Sequence, residues 1–216
     1  MALGDVNAIM NIIVIKICNN IRYWNRANEL LDTTLQVFVD LITGYSSSKA
    51  LLNLETVNFM VHNHVGAHFP FLGYDSDNKY RISFYTALTR LVFTAAEDIN
   101  NEFDDFITPN LEIIEQLNQT ADLSESSVKV ALVGLFRDLR GIAQATTTKR
   151  TYNLLFDAIF PNCFELLKRA TEFNYYDPHV MTALLKFLMV RLCAIALFVV
   201  NCLTLISCEY VGVCVQ

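Results

Sequence analysis

Between residues 128 and 142, Val128, Leu132, Leu135, Leu139 and Ile142 recur at intervals of four, three, four and three. A helix turns about every 3.6 residues, so this rhythm keeps one face apolar and predicts a helix with one buried side. The same period stripes residues 28–43 with Leu31, Leu35, Phe38 and Ile42, and Gly44 follows as a stop signal. Residues 80–96 carry Phe84, Leu88, Leu91 and Ala95 on one stripe. Val6 to Ile21 is mostly apolar and ends in Arg22-Tyr23-Trp24, which predicts a buried helix with Asp5 available as its N-cap.

The remaining segments are placed by their punctuation. Leu51 to Val61 predicts a single further helix. His62 to Asn78 holds Gly66, Pro70, Gly73 and the cluster Asp75-Ser76-Asp77-Asn78, the pattern of a long loop. Pro109 is tolerated best at the start of a helix, so its stretch is expected to begin near Thr108, after an acidic turn at Asp104-Asp105. Ser124 and Ser127 open the helix of the 128–142 stripe. Helices over 149–159 and 162–174 are divided by Pro161, and Asp177-Pro178 starts a last one. No segment alternates as a strand would. Successive helices with short connections predict antiparallel pairs of about 40 residues, the size of HEAT-type repeats. The expected fold class is all-α, with HEAT-like helical repeats stacked as a solenoid segment. The pattern leaves a compact helical bundle open as the alternative.

Composition narrows this picture. The hydrophobic fraction of 53% lies above the roughly 45–50% of soluble domains, and the mean hydropathy is +0.34. Only four prolines and seven glycines interrupt the 216 residues, which favours long helices. The net charge of −6 argues against nucleic acid, because phosphate binding needs clustered basic residues and the only adjacent pairs are Lys149-Arg150 and Lys168-Arg169. Cys18, Cys163, Cys193, Cys202, Cys208 and Cys214 form no CxxC pair and read as free thiols of a reducing compartment. No basic segment precedes the first apolar stretch, so the N-terminus does not read as a signal peptide.

Candidate chemistry is sparse. His64 and His68 share the i, i+4 spacing of a helical zinc site, with His62 nearby. Gly66 and Pro70 oppose a helix there and no acidic residue lies between His62 and Asp75, so structural or surface histidines are expected. Arg137, Asp138 and Arg140 form a charge cluster on one turn. The expected role is to bond a neighbouring repeat and set its register, with a partner-binding patch as the alternative. Glu97, Asp98, Glu102, Asp104 and Asp105 read as a solvated turn. Phe69, Phe71, Tyr74, Tyr80, Phe84 and Tyr85 read as core around the loop rather than a ligand groove. Cys163 and His179 lack a third orienting group, and serine elbows, phosphate loops, dinucleotide fingerprints and paired catalytic carboxylates are missing. No enzyme is expected, and no catalytic, cofactor-binding or metal residue is assigned.

Several short motifs then fall in a telling order. They are Tyr23-Trp24, Gly44-Tyr45-Ser46-Ser47, Asn63-His64, His68-Phe69, Phe71-Leu72-Gly73, Phe84-Tyr85-Thr86-Ala87-Leu88 with Arg90-Leu91, and Arg137 to Ala143. Asp177-Pro178 and Leu184-Leu185-Lys186 close the series. This set, from about Arg22 to Lys186, resembles an internal segment of the exportin-7 family of Ran-binding nuclear transport receptors. The resemblance implies a karyopherin-type solenoid of HEAT repeats that binds Ran-GTP and carries protein cargo between nucleus and cytoplasm through the nuclear pore, with nuclear pore proteins as further partners. It brings no catalytic or metal residue and no cargo motif, so partner-binding residues stay unassigned. Family members are several times longer, and their N-terminal repeats carry much of the Ran contact.

The resemblance fades after Lys186. Leu192 to Cys208 carries no charge and reaches the lower bound of a membrane span, about 17 residues. The expected organisation is a helical-repeat segment over 1–186 and a divergent apolar tail over 187–216. That tail reads as an alternative exon, intron read-through or gene-model error. Its alternative is a membrane anchor, which would make the chain a membrane-tethered helical interaction scaffold.

Overall fold

The structure, a computed structural model, describes residues 6–24, 26–73, 78–94 and 99–192. Its helices in chain order are α1 (Val6–Tyr23), α2 (Asn28–Ile42), α3 (Tyr45–Leu52), α4 (Glu55–His62), α5 (Arg81–Thr94), α6 (Ile99–Gln119), α7 (Ser126–Ala145), α8 (Lys149–Ile159), α9 (Asn162–Asn174) and α10 (Pro178–Leu192). Two 3-10 turns, Pro70–Leu72 and Asn78–Tyr80, lie between α4 and α5, and no strand occurs among the described residues.

The helices form two rows. In one row α2 packs on α5, α5 on α7 and α7 on α10; in the other α1 packs on α4, α4 on α6, and α6 on α8 and α9. Each helix is buried chiefly by its neighbours along the row and by its partner across the layers. That is the quasi-one-dimensional arrangement of stacked helical repeats, and it sets an all-α, HEAT-like solenoid segment apart from a compact bundle. One continuous apolar seam runs between the rows, from Val14 and Phe38 through Phe84 and Phe106 to Leu139, Leu166 and Phe187.

Local chemistry explains most boundaries. Thr148 and Thr151 cap α8 reciprocally, each hydroxyl accepting the other residue's backbone N–H. Asp177 opens α10 by accepting the N–H groups of His179 at 3.0 Å and Val180 at 3.4 Å. The stripes on α2 and α7 face the seam as their spacing predicts: Leu31, Leu35, Phe38, Ile42, Leu132, Leu135, Leu139 and Ile142 are all buried, while Val128 is half-buried. On α5, Phe84, Leu88 and Leu91 are buried too, but so are Tyr85, Thr86, Ala87 and Thr89. This helix is covered by α2, α3, α6 and α7, so it has no solvent face wide enough for a clean stripe.

Two expectations need correction. Leu51–Val61 is not one helix: α3 ends at Leu52 and α4 begins at Glu55, with Leu54 extended between them. At about 100° per residue a continuous helix would put Leu51 and Met60 on opposite faces, and the break lets both be fully buried. Helix α2 ends at Ile42, just before Gly44 as read, and Gly44 at φ −87° and ψ 128° is the extended residue that precedes α3. The helix bearing Pro109 begins at Ile99, not Thr108, and runs through the proline to Gln119. Pro109 frees the carbonyl of exposed Asp105 on the solvent side, while Phe103, Phe106, Ile107, Asn110 and Ile114 anchor the opposite face.

Asp5, Tyr74, Ala95, Glu97, Asp98 and most of the apolar stretch Leu192–Cys208 lie outside the described residues. Among the described residues, no helix is long and apolar enough to cross a membrane. Helix α10 continues past Lys186, and Phe187 is buried with its ring stacked on Phe136 at 6.3 Å.

Candidate functional site

Helices α5 and α7 cross at close range. Gly134, Asp138 and Gly141 fall at i, i+4 and i+7 on the face of α7 that meets α5, and all three are buried. A Cβ on Gly141 would lie 2.6 Å from the Ile82 carbonyl oxygen and 2.9 Å from the Tyr85 Cβ. Only glycine lets the two backbones meet at that point. Thr86 uses the proximity, donating its hydroxyl to the Gly141 carbonyl at 3.0 Å.

One turn away, Asp138 receives both arms of the Arg81 fork. Arg81 Nε donates to Oδ1 at 2.6 Å and Nη2 donates to Oδ2, while Nη1 reaches back to the Leu72 carbonyl. Asp138 has no exposed surface and Arg81 is 8% exposed. Burial pushes the Asp138 carboxyl up to about 6, against the downward pull of the Arg81 charge and its hydrogen bonds. The bidentate pair ties α7, α5 and the loop before α5 into one register.

The charge cluster read on α7 therefore divides. Asp138 bonds a neighbouring repeat as expected, but its partner is Arg81, which the sequence reading did not single out. The available signal was position: Arg81 precedes Phe84 and Leu88 at i+3 and i+7, on the apolar stripe itself. Arg137 and Arg140 turn the other way and line a cavity of about 370 Å³ between α7 and α10, with Lys79, His179 and Lys186.

A second buried knot joins the two rows. His64 is 3% exposed. Its Nε2 lies 3.0 Å from the Phe106 carbonyl and its Nδ1 3.2 Å from Tyr85 Oη. A carbonyl only accepts, so the proton sits on Nε2 and Nδ1 accepts from the tyrosine. Desolvation lowers the His64 pKa to about 4, so the ring is neutral at physiological pH. Burial raises the Tyr85 hydroxyl well above the usual phenol range. The other two histidines lie apart from this pair of contacts: exposed His62 reaches the Asn58 carbonyl at 2.9 Å, and His68 packs edge-on against Phe59 at 5.3 Å. Both His64 nitrogens are occupied within the protein, and no group of His, Cys, Asp and Glu suited to a metal ion occurs among the described residues.

Cys163 is fully buried on α9 and its thiol is pushed up to about 12 by desolvation, while His179 is exposed at the start of α10. A buried thiol held protonated is inert as a nucleophile. Phe69 and Phe71 pack on Phe84 at 5.3 and 5.1 Å, and Tyr80 and Tyr85 are buried beside them. This is core, as read. Glu102, Asp104 and Asp105 are solvated, although on a helix rather than a turn.

These features define a helical-repeat scaffold whose buried polar groups tie one helix to the next. Residues 1–80 match the family model described as Exportin-7-like, TPR domain, another helix–turn–helix repeat class. The chain is 39% identical over 194 residues to exportin-7-B of Xenopus laevis, covering 86% of this chain. It is 38% identical over 193 residues to Ran-binding protein 17 of Homo sapiens, covering 86%, and 32% identical over 187 residues to exportin-7 of Dictyostelium discoideum, covering 85%. Most of this chain is thus an exportin-7-like segment, and it spans 18% of the length of each of these relatives. No solved structure matches it.

Proposed function

We propose that this chain acts as a segment of an exportin-7-like nuclear transport receptor, binding Ran-GTP and protein cargo without chemistry and moving between nucleus and cytoplasm through the nuclear pore. The observation that carries this reading is the 39% identity to exportin-7-B across 86% of the chain, on a two-row helical segment of the kind such receptors stack into a binding surface. The name Ran-binding protein 17 supports Ran as the partner. The working segment is residues 1–186, and 187–216 is a divergent tail whose first turn packs through Phe187. Binding is spread over many repeats, so the segment contributes a share of the Ran and cargo surface rather than the whole of it.

A graft tests this. Residues 22–186 replace the matching segment of Xenopus exportin-7-B, and retention of Ran loaded with GTP is compared with Ran loaded with GDP. The chimera is expected to keep its preference for the GTP form. A folded chimera that loses that preference would sink the proposal.

A further inference from the structure

The cavity between α7 and α10 is basic in an acidic protein. Arg137 and Arg140 project from α7 at i and i+3, and His179, Thr182 and Lys186 face them from α10 at i, i+3 and i+7. Lys79 closes one side. Four of the chain's 16 lysines and arginines thus converge on one hollow, although the net charge is −6. Among the described residues no aspartate or glutamate lines it.

Like charges gathered this closely repel unless an anion offsets them. Lys79 and Arg137 have other interactions within the chain. No hydrogen bond or ion pair involves the side chains of Arg140 or Lys186 among the described residues, and the Arg140 Nε is buried without an acceptor. The other basic surface behaves differently: the groove at Lys149 and Arg150 is also lined by Asp157, so its charge is answered locally. The start of α10, at Pro178 and His179, borders the hollow, but its first N–H groups are already capped by Asp177, so the basic side chains alone supply the charge.

We propose that this cavity binds an anionic peptide segment of a protein partner, its side chains bearing carboxylates or phosphates. The volume of about 370 Å³ suits a short run of side chains. Arginine forks are built for such groups, donating paired hydrogen bonds to the oxygens of either. A nucleic acid is disfavoured because the basic charge is confined to one hollow rather than laid out as a track for a phosphate backbone. The site stands on its own charge and shape and does not depend on Ran binding.

Fluorescence anisotropy on the full chain tests it, using labelled glutamate-rich, phosphoserine-rich and lysine-rich decapeptides. The two anionic peptides are expected to bind, more weakly as salt rises, and the lysine peptide is not; whichever anionic peptide binds tighter identifies carboxylate or phosphate as the preferred group. His179→Glu with Lys186→Glu, exposed positions on α10, should weaken binding about tenfold or more. Arg137→Gln with Arg140→Gln should do the same from the opposite wall, with circular dichroism confirming the fold of each variant. Lys149→Glu with Arg150→Glu should leave affinity within about twofold. Equal binding by the α10 variant, equal capture of the lysine peptide, or no binding by the unmodified chain would overturn the proposal. So would binding that emerges only in Asp75→Asn with Asp77→Asn, which would make the chain's own acidic loop the occupant.

Discussion

The two buried polar knots of this segment solve the same problem in opposite ways. At one, neutral His64 joins the segment that follows α4 to Tyr85 on α5 and the Phe106 carbonyl on α6. At the other, ionised Asp138 joins α7 to Arg81 at the start of α5, and through it to the Leu72 carbonyl. Both knots tie three pieces of chain that packing alone would leave free to slide. The neutral knot is fully satisfied without charge, whereas the charged knot answers one buried ion with another. An uncharged network therefore fails when a proton is added, and a charged pair fails when one partner is taken away.

The largest effect is expected at the charged knot. Asp138→Asn keeps the shape but strands the Arg81 charge, which is 8% exposed, and should lower stability by about 3–5 kcal/mol in urea unfolding. The double change Arg81→Met with Asp138→Leu removes both charges and should recover to within about 1 kcal/mol of the parent, because desolvation of the pair offsets most of its attraction. If Asp138→Asn cost less than about 1 kcal/mol, the pair would not be what holds α5 against α7.

The neutral knot should reveal itself through pH. The His64 pKa is lowered from 6.5 to about 4 on folding, so the unfolded chain binds the extra proton between those values. Its contribution is whole above pH 6.5 and is lost as pH falls toward 4, amounting to about 3 kcal/mol. Asp138 titrates with the opposite sign: its folded pKa is raised to about 6, so its share is present below 3.8 and lost as pH rises through about 6. The His64 slope is therefore read from the difference between the parent and His64→Gln, which should shrink by about 3 kcal/mol between pH 7 and pH 4. A difference that stays constant across that range would mean His64 is not held neutral by its burial.

How much of this was legible follows from the range of each interaction. The stripe on α2 was readable because that helix buries one face, and the stripe on α7 because its second buried face, against α5, is built from Gly134, Asp138 and Gly141 and leaves the large apolar residues on one period. Helix α5 was readable as a helix but not as the centre of the segment, since burial on nearly every side blurs the period. Pro109 misled because its local rule was outweighed by the apolar face of α6, which no local rule counts. The inter-repeat role of Asp138 could be read from its type and place. Its partner lies 57 positions away in sequence, and only the stacking of α5 on α7 identifies Arg81. His64 carried no signal for its network, because one of its acceptors is a backbone carbonyl 42 positions away.

The smallest expected effects sharpen what the charged knot needs from its surroundings. Gly141 and Gly134 lie one heptad apart on the same face of α7, yet they meet different atoms. A Cβ at Gly141 would sit 2.6 Å from the Ile82 carbonyl oxygen, a backbone atom that can yield only if α5 shifts. A Cβ at Gly134 would meet the Arg81 guanidinium carbon at 3.2 Å, the end of a side chain that needs to give by only a few tenths of an ångström. Gly141→Ala should therefore cost about 2–3 kcal/mol, with the Thr86 hydrogen bond to the Gly141 carbonyl strained as α5 is pushed away, and Gly134→Ala about 1 kcal/mol. Coupling to Asp138→Asn separates the two further. The Gly134 change acts through the Arg81 fork and should be non-additive with the loss of Asp138, while the Gly141 change acts through backbone spacing and should add more nearly independently. Equal costs at the two glycines in thermal unfolding would show that α5 and α7 yield as a pair, and that the ion pair, not the close approach, sets their register.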